Sequence, residues 1–204
     1  MTSTLLRSAS DHPATGTYDF PLFHPSSRAA WRAWLEAHHA TERGAWVVSW
    51  RRQSGREPVP YEHLVLESLC FGWIDATRKV LDDDRGILLM TPRKPRSGWT
   101  RLNRRRVADL DAQGLMTDSG RRAIEVAKAN GWWSLMDDVE DLVEPDDLAT
   151  ALDATPAARH HWDGFAASLR KQMLWWLITA AKPDTRARRI AAIVAEAAEG
   201  RPRT

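Results

Sequence analysis

Apolar residues recur along this chain with two different periods, and the change of period marks where helices and strands are expected. Residues 31–38 carry apolar side chains three or four positions apart, behind a serine pair that can cap a helix. Residues 45–51 alternate between apolar and polar positions, which predicts a strand. Residues 61–72 return to the helical period and end at a glycine. A helix, a strand and a second helix are therefore expected in this order.

Two β-like runs and then only helical patterns follow. Residues 73–81 and 86–90 are separated by an acidic sequence, residues 82–85, that is typical of a turn, so a hairpin is expected. After Pro95 the apolar residues keep the helical period to the end of the chain. The pattern predicts the α+β class: a small, mostly antiparallel sheet with covering helices, followed by an all-helical C-terminal half.

The same patterns predict three segments. Residues 1–25 have no periodic apolar pattern and are expected to form a flexible N-terminal segment. Residues 26–137 are expected to form the α+β domain, and residues 138–204 a helical C-terminal segment.

Composition narrows the classes of protein to consider. The chain has 204 residues, 43% of them hydrophobic and 27% charged, as in ordinary soluble globular proteins. A net charge of +2 does not by itself indicate a nucleic-acid partner, although a local basic patch remains compatible with it. The single cysteine, Cys70, cannot form an internal disulfide, which suits a reducing cytoplasm. No apolar run approaches the roughly 20 residues of a membrane span, so we expect a cytoplasmic protein without membrane insertion.

Two stretches, residues 68–75 and 91–103, together contain an acid, a thiol, two tryptophans and several arginines. The second stretch and the residues that follow it are strongly basic, with no acidic residue between Arg93 and Arg106. Arginine binds phosphate and carboxylate with two parallel hydrogen bonds and stacks on aromatic rings. The expected ligand-binding residues are Trp73, Asp75, Arg93, Arg96, Trp99, Arg101, Asn103 and Arg104. The alternative is a solvated or ion-paired face, with Asp109 and Asp111 as local partners.

Cys70 and Asp75 each allow two interpretations. Cys70 lies on the apolar stripe of the helix expected over residues 61–72, which favours a buried, unreactive thiol over a nucleophile. Asp75 follows large apolar residues, where a carboxylate needs a partner. An ion pair with an arginine of residues 91–101 is the structural interpretation, and a ligand-binding or general-base carboxylate is the functional one.

Sequence motifs for metals and common cofactors are missing. The histidine pairs 38–39 and 160–161 are adjacent, and neighbouring residues on a helix point in different directions. The chain has no HExxH, CxxC or EF-hand sequence, and no Walker, GxGxxG or GxSxG sequence. We therefore expect no metal and no cofactor, and no catalytic residue is assigned.

The two stretches, together with residues 180–190, resemble the YdeI/OmpD-associated family of bacterial proteins. The resemblance runs from about Trp31 to Gly200, and residues 140–200 are similar to the family's C-terminal helical segment. In the family's motif, the aspartate that corresponds to Asp75 is followed by a glycine. This chain has Ala76 at that position. The family's names imply bacteriocin protection and association with an outer-membrane porin.

These observations give an expected function and one alternative. The expected function is a cytoplasmic stress- or envelope-protection protein, similar to bacteriocin-protection proteins. It would bind an anionic ligand or partner through an arginine and tryptophan surface. Possible partners are an anionic small molecule, an acidic protein segment or a nucleic acid. The alternative is a small-molecule enzyme with a pocket around Asp75, Cys70 and Arg93.

Overall fold

The structure, a computed structural model, describes residues 20–201. These residues form two compact units. The first unit holds residues 20–97 and 102–133, and the second holds residues 98–101 and 134–201. Most of the predicted flexible segment, residues 1–25, lies outside the described residues, so that prediction is left open.

A four-stranded sheet lies in the first unit, with strand order β1-β2-β4-β3. Its strands are β1 (Leu22–Phe23), β2 (Ala45–Trp50), β3 (Trp73–Val80) and β4 (Arg85–Pro92). β2 and β3 each pair antiparallel with β4, whereas β1 pairs parallel with β2. The predicted α+β class is confirmed, and the mostly antiparallel sheet proves to be mixed. The pattern missed β1 because two residues are too few to show an alternation.

The described part of the first unit contains four α-helices, two of which begin at a side-chain cap. They are α1 (Arg28–His38), α2 (Tyr61–Cys70), α3 (Arg101–Ala112, whose first residue belongs to the second unit) and α4 (Asp118–Ala129), with a 3₁₀ turn over Arg52–Ser54. The Ser27 hydroxyl accepts a hydrogen bond from the Ala30 N–H at 3.1 Å. The Thr117 hydroxyl accepts one from the Gly120 N–H at 3.3 Å. Each cap satisfies a donor that the first helical turn leaves without a partner inside the helix.

The predicted hairpin between β3 and β4 is confirmed, and Asp82 organises its turn. Its carboxylate accepts hydrogen bonds from the Asp84 and Arg85 N–H groups at 3.0 and 2.7 Å. Hydrogen bonds to the charged form, above all that from the Arg85 side chain, lower the pKa of Asp82. β3 also contains a bulge: Asp75 pairs with Met90, but Arg78, three residues further, pairs with Leu88.

Apolar side chains are buried on both faces of the sheet. Trp46, Val48, Ile87 and Leu89 belong to one buried cluster. The intervening residues Val47, Leu88 and Met90 are buried as well. α1 packs on α2, and the Trp31 indole N–H lies 3.1 Å from both the Leu64 carbonyl and the Ser68 hydroxyl. These contacts fix α2, whose C-terminal end forms part of the site described below.

Helices alone make up the rest of the described chain. The second unit contains α5 (Asp137–Glu140), α6 (Asp146–Asp153), α7 (Pro156–Gly164), α8 (Ala167–Ile178) and α9 (Pro183–Ala198). Its core includes Leu148, Leu152, Trp162, Leu174 and Ile193. None of the helices within residues 20–201 has the length and apolar character needed to cross a lipid bilayer.

Candidate functional site

A cavity of about 270 Å³ opens in the first unit beside the C-terminal end of α2. Three cationic side chains line it, from Arg93, Lys94 and Arg122, and no aspartate or glutamate is among its described lining residues. Pro92, Pro95, Ala123 and Val126 contribute apolar surface, whereas the lining residues Phe71 and Trp73 are almost fully buried. Positive charge without acidic neighbours, next to apolar surface, is suited to an anion.

Gly72 allows the chain to form this cavity. Its φ of +73° is a left-handed conformation that glycine adopts without strain. A Cβ at this position would lie 3.0 Å from the Ser119 carbonyl oxygen, so the glycine also permits close approach of α4. The Gly72 carbonyl accepts a hydrogen bond from the Arg93 N–H at 2.9 Å. One glycine thus brings residues from α2, β4 and α4 to the same place.

Arg93 is the most buried of the three cations that line the cavity. Burial lowers the pKa of its guanidinium to about 10, and the nearby charge of Asp75 partly opposes this shift. Its Nη1 donates a hydrogen bond to the Ser97 hydroxyl at 3.2 Å. The group stays protonated at neutral pH in a partly desolvated position, where a bound anion would be more strongly attracted than in bulk water.

His39 and Ser119 form a hydrogen-bonded pair on the cavity wall. The His39 Nδ1 lies 2.8 Å from the Leu35 carbonyl, and its Nε2 lies 3.0 Å from the Ser119 Oγ. Because a carbonyl oxygen only accepts, Nδ1 carries a proton, and in the neutral ring Nε2 accepts from the serine hydroxyl. The pair therefore joins the C-terminal end of α1 to α4.

The structure brings only part of the predicted site to this cavity. Trp73 and Arg93 line it, whereas Arg96 is exposed and is not among its lining residues. The Asn103 side-chain oxygen accepts from the Arg106 Nη1 at 2.7 Å. The Arg104 guanidinium lies 5.9 Å from the centre of the Trp133 ring.

Neither Trp99 nor Arg101 lines this cavity. Both belong to the second unit, and Trp99 is only 1% exposed, so its ring is not available for stacking with a ligand. The Arg101 guanidinium donates to both carboxylate oxygens of Asp141 at 2.6 and 2.5 Å, and the Glu140 carboxylate accepts from the Arg101 backbone N–H. The ion-paired alternative is therefore correct for Arg101.

Asp75 has a different partner from the one predicted. Its carboxylate accepts a hydrogen bond from the Tyr61 hydroxyl at 2.9 Å, and within residues 20–201 it forms no ion pair with an arginine of residues 91–101. The α2 helix places Tyr61 over this part of β3, whereas Arg93 influences Asp75 only through its charge. Asp75 is half-buried and is not among the residues lining the cavity.

Asp75→Ala should therefore lower the free energy of unfolding by only about 1 kcal/mol, the contribution of one hydrogen bond, and not by the larger amount expected for a broken buried ion pair. Urea unfolding followed by circular dichroism measures this, with the exposed Asp83→Ala as the control. A loss of about 3 kcal/mol or more would restore the ion-pair interpretation.

The same hydrogen bond affects the titration of Tyr61. Burial, and then the hydrogen bond to Asp75, raise the pKa of Tyr61 from 10.0 to about 12. A raised folded-state pKa contributes stability that is complete below the unfolded value and is lost as pH rises between these two values. In Asp75→Ala the pKa of Tyr61 should fall, which a spectrophotometric titration of the phenol detects.

Cys70 is fully buried and does not line the cavity, so its predicted burial is confirmed. Burial, and then the negative charge of Glu67, raise the pKa of its thiol. Glu67 is itself buried and forms ion pairs with Arg28 and Arg32. These features explain why the thiol is expected to stay unreactive.

Sequence reasoning missed His39, Ser119 and Arg122. His39 directly follows α1, and Ser119 and Arg122 lie on α4, so no local motif links them to residues 91–103. The available indication was weak: Arg122 lies five residues after the Thr117 cap, just past the first turn, where the helix dipole only slightly disfavours a cation. In the described part of the chain, no three His, Cys, Asp or Glu side chains are grouped to hold a metal ion.

Comparisons with known proteins divide the chain into two matched segments. Residues 141–200 match the family described as Bacteriocin-protection, YdeI or OmpD-Associated, which agrees with the predicted resemblance over this C-terminal segment. Residues 23–123 match a separate domain of unknown function (DUF8412). This segment includes residues 68–75 and 91–103. Neither the curated proteins nor the solved structures gave a match.

Proposed function

We propose that this chain, whose residues 141–200 match the bacteriocin-protection, YdeI or OmpD-associated family, acts by binding a small anion in the cavity of the first unit. The family match supports a bacteriocin-protection-like role. The observation that carries the binding proposal is the cavity lined by Arg93, Lys94 and Arg122, with no carboxylate among its described lining residues. The proposed compartment is the cytoplasm, because the lone cysteine Cys70 suits a reducing environment.

The size and composition of the cavity favour a small ligand over a polymer. Its volume of about 270 Å³ is near the lower end of ordinary ligand pockets, at about 300 Å³. Arg101, which was expected to extend the basic surface, is held by Asp141. The Glu62 carboxylate likewise binds Arg106. The basic surface that a nucleic acid would need is thus reduced by internal acids.

The enzyme alternative has less support. It requires Asp75, Cys70 and Arg93 in one pocket, but only Arg93 lines this cavity. Cys70 is buried with a raised pKa, and a protonated thiol is a poor nucleophile. The hydrogen bond from Tyr61 also occupies a carboxylate oxygen of Asp75.

Titration calorimetry with inorganic phosphate tests the proposal. The parent should bind phosphate, and Arg122→Ala should weaken binding about tenfold, because a charge-assisted hydrogen bond is lost. Arg93→Lys should also weaken it, because lysine cannot form the bidentate fork. Arg105→Ala, an exposed arginine of the same basic sequence that does not line the cavity, is the matched control.

A short single-stranded oligonucleotide, titrated at two salt concentrations, separates the two ligand classes. A small anion in the cavity should show a shallow dependence on salt, whereas a polyanion releases many counterions and shows a steep one. Tight, steeply salt-dependent oligonucleotide binding without phosphate binding would overturn the small-anion proposal. Equal phosphate binding by the parent and Arg122→Ala would also overturn it.

A further inference from the structure

A second cavity, of about 390 Å³, lies elsewhere in the first unit and shares no described lining residue with the first. It lies beside the segment that leads from β2 to α2. Its apolar floor includes Leu64, Ile87 and Leu88, which are buried. The volume falls within the range of about 300–1,000 Å³ that is typical of small-molecule sites.

Two aromatic rings line this cavity, and each is already in contact with an arginine. The Arg56 guanidinium lies 4.4 Å from the centre of the Trp50 ring. The Arg78 guanidinium lies 5.1 Å from the centre of the Tyr61 ring. Trp50 is only half-buried and Tyr61 is 42% exposed, so both retain surface for a planar ligand. Aromatic rings beside guanidinium groups suit a ligand that is both planar and anionic.

The charged side chains that line this cavity in the described chain are all cationic: Arg51, Arg52 and Arg78. The Arg51 Nη1 donates to the carbonyls of Asp82 and Asp83, both at 3.2 Å. Among the described residues, Arg52 and Arg78 donate to no carboxylate. Their guanidinium groups therefore retain donors for a ligand.

Two acids of the elements that form this cavity, Asp75 and Glu62, have other partners. Asp75 accepts the Tyr61 hydroxyl, and Glu62, in the first turn of α2, is bound by Arg106. Positive potential also reaches the adjacent His24, whose ring centre lies 4.7 Å from that of Trp50. Burial, and then the charges of Arg85 and Arg56, lower the pKa of His24.

The bulge in β3 places Arg78 at this cavity. Asp75 pairs with Met90 and Arg78 with Leu88, so one extra residue separates Asp75 and Arg78. Directly paired residues of antiparallel strands share a face, and Met90 and Leu88 are two residues apart. Without the extra residue, Thr77 would occupy the position opposite Leu88. Bulges commonly redirect side chains next to functional sites.

We propose that this second cavity binds a small aromatic phosphate, with the chemistry of a nucleoside monophosphate. The ring lies on the apolar floor against Trp50 and Tyr61, and the phosphate is held by Arg52 and Arg78. Stacking and bidentate hydrogen bonding act on different parts of one ligand, so both are needed for full affinity. This site is independent of the small-anion site because the two cavities have no described lining residue in common.

Titration calorimetry with AMP, adenosine and ribose 5-phosphate tests this proposal. AMP should bind most tightly, and each of the other two should bind about tenfold more weakly, because it lacks either the phosphate or the ring. Arg78→Ala and Arg52→Ala should each weaken AMP binding about tenfold. Both side chains are exposed, so neither change is expected to unfold the protein.

Two controls make the result specific. Arg122→Ala removes a cation of the first cavity and should leave AMP affinity unchanged, and Arg105→Ala should do the same. AMP binding that both Arg52→Ala and Arg78→Ala leave intact would overturn the proposal. Equal affinities for AMP and ribose 5-phosphate would also overturn it, because the aromatic rings would then have no role.

Discussion

Gly120→Ala is expected to destabilise the first unit by about 3 kcal/mol, at the upper end of what overpacking a close contact costs. A Cβ at position 120 would lie 2.3 Å from the Cys70 carbonyl oxygen and 2.8 Å from the Met116 methyl group. The methyl group can move, but the carbonyl is fixed. It accepts hydrogen bonds from the Thr117 N–H at 3.1 Å and from the Thr117 hydroxyl at 2.7 Å.

The direction of this effect is opposite to the usual rule. Replacing glycine by alanine inside a helix normally stabilises it by about 1 kcal/mol. Gly164 in α7 offers the matched control, because no described atom outside its chain neighbours and the adjacent helix backbone lies within 4 Å of a Cβ built there. Gly164→Ala should keep or slightly increase the free energy of unfolding measured in urea. If Gly120→Ala were as stable as the parent, the described contact between α4 and the end of α2 would be wrong.

The contact at Gly120 also explains why the first cavity exists. The neighbouring Ser119 and the nearby Arg122 line that cavity, so the helix must start close to Cys70 for them to reach it. A residue larger than glycine at position 120 would displace both side chains. Gly120→Ala should therefore weaken phosphate binding and also lower the free energy of unfolding.

Local patterns predicted the elements of the first unit well because the physical causes are local. Alternation over residues 45–51 and the acidic turn at residues 82–85 give β2 and the hairpin. The Asp82 carboxylate satisfies N–H groups only two and three residues away, which sequence spacing can show. The Thr117 cap acts over three residues in the same way.

The residues of the proposed anion site were harder to predict, because long-range contacts decide which arginines are available. The basic sequence reads as one continuous strip, yet the structure divides it between two units. Arg101 is held by Asp141, and Arg106 by Glu62. A compact acidic sequence at residues 137–141 was visible, but spacing along the chain does not show which basic residues it meets.

Asp75 shows the same limit for a single residue. The need for a polar partner was correctly inferred from its apolar neighbours. The choice of partner depends on how α2 packs on β3, which places the Tyr61 hydroxyl 2.9 Å from the carboxylate. The nearest arginines in sequence are therefore a poor guide to the nearest donors in space.

Glu144→Ala should cost the second unit about 3 kcal/mol or more, because it leaves several donors without an acceptor. The Glu144 carboxylate accepts from the Trp162 indole N–H at 2.6 Å, from the Arg159 Nη1 at 2.9 Å and from the Arg170 Nη2 at 3.2 Å. Its side chain is only 15% exposed, so water cannot replace all of these contacts. One carboxylate therefore joins α7 to α8.

Two comparison variants separate the charge from the hydrogen bonds. Glu144→Gln keeps an oxygen that can accept from Trp162 but removes the charge that attracts Arg159 and Arg170, so its stability should fall between the parent and Glu144→Ala. The exposed Glu125→Ala should not change the urea midpoint beyond experimental error.

The size of the stability loss in Glu144→Ala depends on which donors find another acceptor. Arg159 also binds Asp153 and Asp163, so it keeps partners after Glu144→Ala, whereas the buried Trp162 indole N–H has no second acceptor within residues 20–201. Most of the loss should therefore come from Trp162 and Arg170. A loss below about 1 kcal/mol would mean that water reaches these donors and that the network does not hold α7 against α8.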